Sequence, residues 1–367
     1  MKKSIAAALV ASVLAVGMLS GCGTAQPVES ENSPTTAATD GAEGTTPSEV
    51  AVPNALELEG PVTAEKVSDI VAVSGDAVPS LPATVKDATG AALEIANVDR
   101  ILALDLYGTL TDTVIGVGLG ENLVGRSNSD TQEALKDLPV VTENGHDLNV
   151  EAVLNLHPTV ILTNTTIGNA DKYGQLEKAG ITVVRFDPTP GFDQIDGTIT
   201  LVGQALGVPA QAEKLIAATD EAFAQAEEEI ARLKAGTPRA PRGTVLYVRG
   251  TAGVFFILGA EYGAADVINA LGLEDVAAEN GIKSLKPANA EALVSLDPEI
   301  ILAMSEGIRS AGGVNQFTER AGVAATTAGA KERIITASDG QLLSYGPRTP
   351  SNLVALARAI YTDGSAE

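Results

Sequence analysis

The sequence holds no tryptophan, one cysteine, two histidines and three methionines in 367 residues, and only 3% of it is aromatic. A single cysteine, Cys22, permits neither a disulfide within the chain nor a thiolate metal site, so stability rests on packing alone. Positive charge is scarce as well. Lys and Arg number 24 against 47 Asp and Glu, a net charge of −23 that becomes −25 without Lys2 and Lys3. Nucleic acid is not an expected partner for so acidic a chain. There is no Gly-x-Ser-x-Gly elbow and no second cysteine to serve as a nucleophile, which argues against an extracytoplasmic hydrolase, and no enzymatic activity is expected.

The chain opens with MKKSIAAALVASVLAVGMLSGC, two lysines and an apolar run that ends at small residues and Cys22. The run is short for a bilayer span and reads as a secretory signal over residues 1–21. Its ending resembles the lipobox of bacterial lipoproteins. That resemblance implies cleavage before Cys22, a diacylglycerol on its thiol, and a protein lipid-anchored to the outer face of the cytoplasmic membrane.

From residue 23 to about 79 the composition turns to Thr, Ser, Ala, Pro, Glu and Asp with no aromatic residue. Residues 22–80 are therefore expected to form an acidic, largely disordered tether, with a short helix at 64–73 in its later part.

Order is expected from Leu81 onward. ATVKDATGAALEI reads as two strands around a turn, and RILALD, LVGRS, TVILTN and ITVVRFD as further strands alternating with helices at 108–117 and 171–179. A long helical stretch over 192–234 is interrupted near Gly207. The alternation then restarts with TVLYVRG, VFFILG and PEIILAM and helices at 264–270, 313–321 and 351–361. This predicts an α/β fold: two Rossmann-like lobes, residues 81–191 and 237–367, joined by a single long backbone helix over 192–236. An internal repeat supports the division. NVEAVLNLHPTVIL (149–162) aligns without a gap on NAEALVSLDPEIIL (289–302), each an Asn-capped short helix, a Pro-marked turn and a buried strand.

Both histidines lie in NGHDLNVEAVLNLHP. His157 stands where the second copy has Asp297, so it reads as a polar turn residue. His146 lies in the loop before the repeat and, taken locally, reads as solvated. On the strand TVLYVRG, Tyr247 and Arg249 project from one face while Leu246 and Val248 point into the core. A guanidinium beside a phenol favours phenolate, and phenolate and imidazole are both axial ligands of haem iron. Taken alone, the strand reads first as an ordinary amphipathic one whose Tyr and Arg meet solvent at a lobe edge.

The lipobox, the two bridged lobes and the repeated NxEA…LxP…IL resemble the class III, or helical-backbone, solute-binding proteins of ABC importers, which deliver cobalamin, ferric siderophores and haem. GHD ahead of NVEAVL, and LYVRGT, are similar to the HmuT-type haem-binding lipoproteins of that class. The resemblance implies His146 and Tyr247 as axial ligands of ferric haem, the transported ligand, with Arg249 against Tyr247 and Met304 as a haem-contacting methionine. It further implies Glu151 and Glu291 as residues that dock a permease dimer, one per lobe, with the protein itself monomeric. Arg348 and Arg126 are candidates for the propionates that rank no higher than surface arginines. A ferric siderophore or a corrinoid is the alternative cargo. The lack of tryptophan speaks weakly against a siderophore.

Overall fold

The computed structural model describes residues 52–363 apart from 76, 144, 145 and 252. Cys22, the expected signal segment and the first half of the expected tether lie outside the described residues.

In the first lobe the runs ILAL, VILT and TVVR form three parallel strands, Ile101–Leu104, Val160–Thr163 and Thr182–Arg185, paired in that order. Nearly every side chain on them is buried, the signature of a parallel sheet covered on both faces. Ala83–Lys86 and Ala92–Ile95 form the expected hairpin. LVGRS does not become a strand; it makes only isolated bridges at Leu123 and Arg126.

The second lobe is built around Arg242–Arg249, parallel to Ile300–Met304 and antiparallel to Val254–Ile257. Ile334–Ala337 extends the sheet in parallel. The two faces of the central strand enter different cores. Leu246 and Val248 pack with Ile301, Ala303 and Ile334, whereas Val245 and the partly buried Tyr247 join the cluster that holds Leu302 and Met304 and continues into the first lobe.

The repeat survives in three dimensions. Asn149 and Asn289 each accept a backbone N–H with the side-chain oxygen, from Ala152 at 2.9 Å and Ala292 at 2.8 Å, and so cap helices Val150–Leu156 and Ala290–Leu296. Both helices end on a left-handed residue, His157 at φ 47° and Asp297 at φ 40°, a conformation that His and Asp tolerate better than most residues. His157 is thus a helix-ending residue, with Nδ1 2.9 Å from the carbonyl of Asn155.

The bridging element is narrower than 192–236. Ile195–Ala205 packs on the first lobe, and the backbone helix is Pro209–Leu233, 25 residues or about 37 Å at 1.5 Å per residue. The break is enforced at Gly207. It sits at φ 69°, and a Cβ there would lie 2.6 Å from the carbonyl oxygen of Ser80. The final helix, Thr349–Tyr361, runs along the backbone helix.

The later half of the expected tether differs most from expectation. Its one regular element is Val62–Thr63, an edge strand parallel to Ile334–Ala337, and no helix forms over 64–73. On the second lobe, Ala55 N–H donates to Thr237 at 3.1 Å, Gly60 N–H to Lys331 O at 2.8 Å and Ala64 N–H to Thr336 O at 2.7 Å. Further along, Val73 N–H donates to Gly116 O at 3.0 Å and Ser80 N–H to Gly207 O at 2.8 Å. The segment is a strap laid from the second lobe onto the first, held by backbone hydrogen bonds and two buried alanines, Ala55 and Ala64. Such anchoring needs neither apolar periodicity nor aromatic residues, which is why composition pointed to disorder.

Candidate functional site in the cleft between the lobes

In an α/β sheet the loops after the carboxyl ends of parallel strands form the ligand crevice. Here those loops, 105–109, 164–166 and 186–190, face Glu261, Tyr262, Leu343 and Tyr345 of the second lobe across a cavity of about 520 Å³. This is ample for a small-molecule ligand. Three of the six tyrosines, Tyr107, Tyr262 and Tyr345, line it. A chain poor in aromatics has gathered phenol rings where a flat apolar ligand would meet them.

The rings are positioned by the fold. Tyr345 stacks at a tilt on Phe192, centroids 5.9 Å apart, and its hydroxyl lies 3.3 Å from the carbonyl of Tyr262. Gly263, at φ 73°, makes this possible, because a Cβ there would overlap the Tyr345 hydroxyl. Burial pushes the Tyr345 phenol up, with Tyr107 and Asp266 adding to the effect. Tyr107 is placed by Asp105, a buried carboxylate at the end of Ile101–Leu104 that accepts the N–H groups of Tyr107, Thr109 and Leu110 at 3.2, 3.0 and 2.9 Å. It thereby binds the start of helix Thr109–Gly116, where the helix dipole favours negative charge. Burial also raises the Tyr107 phenol. Tyr247 and Asp339 of the second lobe add to that rise and Arg249 opposes it.

Tyr247 and Arg249 are half-buried on one face of their strand while Leu246 and Val248 are fully buried, as the alternation predicts. The Arg249 guanidinium lies over the Tyr247 ring, 4.6 Å from its centroid, and forms an ion pair with Asp339. His146 is exposed at the turn between Thr142–Glu143 and Asp147–Leu148. Its carbonyl accepts from Gly168 at 2.9 Å, which ties the turn to the loop whose Asn164 and Thr166 line the cavity. Neither His146 nor Tyr247 is itself among the lining residues. Met304 is fully buried at the end of its strand. Glu151 and Glu291 are exposed in the first turns of the two repeated helices.

The arginines named for the propionates are engaged elsewhere. Arg348 pairs with Asp112 at 2.6 Å, and Arg126 donates to the backbone carbonyls of Ser127 and Asp130 at 3.3 and 3.4 Å. Sequence reasoning also missed Tyr107, Tyr262, Tyr345 and Asp339. The first had a usable signal, since it lies three residues past the apolar strand ILAL, in the loop at that strand's carboxyl end.

The family described as periplasmic binding protein matches residues 106–339. A crystal structure of the haem-binding protein HmuT is 40% identical, with a TM-score of 0.80 over 84% of this chain and 99% of that one. Further crystal structures of that protein carry alanine in place of a histidine, a tyrosine and an arginine, the last two standing two positions apart as Tyr247 and Arg249 do. An ABC transporter substrate-binding lipoprotein of Bacillus subtilis, YvrC, is 23% identical over 285 residues, 77% of this chain and 86% of that one. A cobalamin-binding protein of Halobacterium salinarum is 25% identical over 290 residues, 77% of this chain and 75% of that one. With two α/β lobes on one backbone helix and the family's match across most of both, the chain belongs to the periplasmic binding proteins, in the class III form that serves ABC importers.

Proposed function

We propose that this protein captures one ferric haem between its lobes, with His146 and Tyr247 as axial ligands, and delivers it to an ABC importer permease. The observation that carries this is the Tyr247–Arg249 pair on the central strand of the second lobe, set in a chain 40% identical to a haem-binding protein of the same fold. Phenolate supplies the negative charge that ferric porphyrin lacks, and imidazole supplies a neutral sixth donor. The protein acts as a carrier and not as an enzyme. Met304 becomes a haem contact only if its end of the strand opens. Glu151 and Glu291 dock a two-fold permease, one from each lobe.

The polypeptide divides into a leader of residues 1–21, a lipidated Cys22, a tether that ends in the strap, and two lobes beginning near residues 81 and 237. A lipid anchor on the outer face of the cytoplasmic membrane fits the lipobox and the lipoprotein relative. The chain works as a monomer.

Addition of hemin to the protein, followed in the Soret region, tests the cargo. One equivalent should produce a saturating shift. The cobalamin-binding relative makes a corrinoid the second reading. Saturation by cyanocobalamin with no hemin response would establish that reading and overturn the first.

A further inference from the structure

Asp339 belongs to no part of the site that sequence or family resemblance pointed to, yet it holds the group that faces the proposed tyrosine ligand. It is the first residue of the short helix Asp339–Leu342, whose start is fastened by a capping box: Ser338 accepts the Gln341 N–H at 3.2 Å and Gln341 accepts the Ser338 N–H at 3.2 Å. Gln341 also donates its side-chain amide to the Glu65 carbonyl of the strap at 2.6 Å. The helix is therefore immobilised from two sides, and its first carboxylate with it.

One oxygen of that carboxylate pairs with Nη2 of Arg249. The other, Oδ1, is buried without a hydrogen-bond partner among the described residues. Arg249 is confined on its remaining sides. Nη1 donates to the Val248 carbonyl at 2.9 Å, and Gly307 lies so close that a Cβ there would come within 2.6 Å of the same nitrogen. The guanidinium thus rests over the Tyr247 ring because the backbone, a glycine and one anion leave it nowhere else to go.

We propose that Asp339 is a positioning residue for the haem site, holding Arg249 over Tyr247 and neutralising its charge so that the phenolate keeps its donor strength toward ferric iron. The proposal rests on Tyr247 being an iron ligand. An arginine over the ring without a counter-anion would draw electron density from the phenolate and favour ferrous iron. Burial raises the Asp339 carboxyl and Arg249 opposes that rise, with Glu306 adding to it, so ionisation of Asp339 depends on its partner staying in place.

The test uses the full chain loaded with hemin at mildly alkaline pH, comparing wild type, Asp339→Asn, Asp339→Glu, Arg249→Ala, the Asp339→Asn/Arg249→Ala double variant and Tyr247→Phe. Asp339→Asn should still bind one hemin, but with a more positive Fe(III)/Fe(II) potential, a displaced tyrosinate-to-iron charge-transfer band and hemin release faster by about tenfold, the scale of one charged hydrogen bond. Asp339→Glu should restore most of the wild-type potential. In the Arg249→Ala background Asp339→Asn should change nothing further, because Asp339 acts through Arg249. An Asp339→Asn protein indistinguishable from wild type, or one with the same shift whether or not Arg249 is present, overturns the proposal. A Tyr247→Phe protein with an unaltered spectrum would instead remove the ligand assignment on which it rests.

Discussion

Arg348, at the head of the last helix, reaches across from the second lobe and donates Nε to Asp112 of the first lobe at 2.6 Å. Asp112 has no exposed surface, and its other oxygen accepts from Gln132. Thr109 and Ser344 meet beside it, their hydroxyls 3.1 Å apart, and Phe192 N–H donates to Asp266 at 3.0 Å. Side chains, and not the backbone helix alone, hold the lobes together.

This contact carries a pH dependence with a definite sign. Burial pushes Asp112 up to about 7; Arg348 works against the rise, while Asp130 and Asp105 add to it. Burial likewise pushes Asp130 up to about 6. An acid whose folded value exceeds its unfolded 3.8 contributes stability that is complete below about pH 4 and is lost as pH rises through 6 and 7. Asp112→Asn should therefore flatten the decline of thermal stability between pH 4 and 7, measured by calorimetry. A mutant profile parallel to wild type over that range would show that Asp112 does not titrate there.

For the proposed iron ligands, Tyr247→Ala should disturb the hemin spectrum more than His146→Ala. Loss of the anionic donor leaves ferric charge uncompensated, whereas a lost imidazole can be replaced by water. Unchanged spectra in both single variants would sink the assignment.

Docking to the importer should tolerate the loss of one glutamate better than two, since an exposed ion pair contributes about 0 to 1 kcal/mol. Glu151→Ala with Glu291→Ala should leave hemin binding unaltered but weaken association with the permease and reduce haem uptake, most at low salt where charge pairing is least screened. Normal uptake by the double variant at wild-type expression would place docking on other residues.

The strap should matter for stability. A chain beginning at residue 81 loses the backbone bonds of Gly60, Ala64, Val73 and Ser80 together with the buried Ala55 and Ala64. At about 0.5 to 1.5 kcal/mol per hydrogen bond the loss is several kcal/mol, which denaturant titration against a chain beginning at residue 52 would register. Equal midpoints would mean that the strap is held too weakly to count.

The sequence by itself determined whatever depends on neighbours along the chain. Apolar runs such as ILAL and VILT specify buried strands, alternation on TVLYVRG sets Tyr247 and Arg249 on one face, and an asparagine before an apolar helix caps it in both copies of the repeat. Gly207 broke the helical stretch where the sequence suggested, although the reason, the nearness of Ser80, is not local. Only the tertiary structure decided which distant groups meet. Asp339 is 90 residues from Arg249, Arg348 is 236 residues from Asp112, and the strap anchors on strands more than 270 residues away. Such pairings arise from the packing of the two lobes and leave no periodic trace in the chain, because a salt bridge or a backbone hydrogen bond asks only that two groups come within about 3 Å, however far apart they lie in sequence.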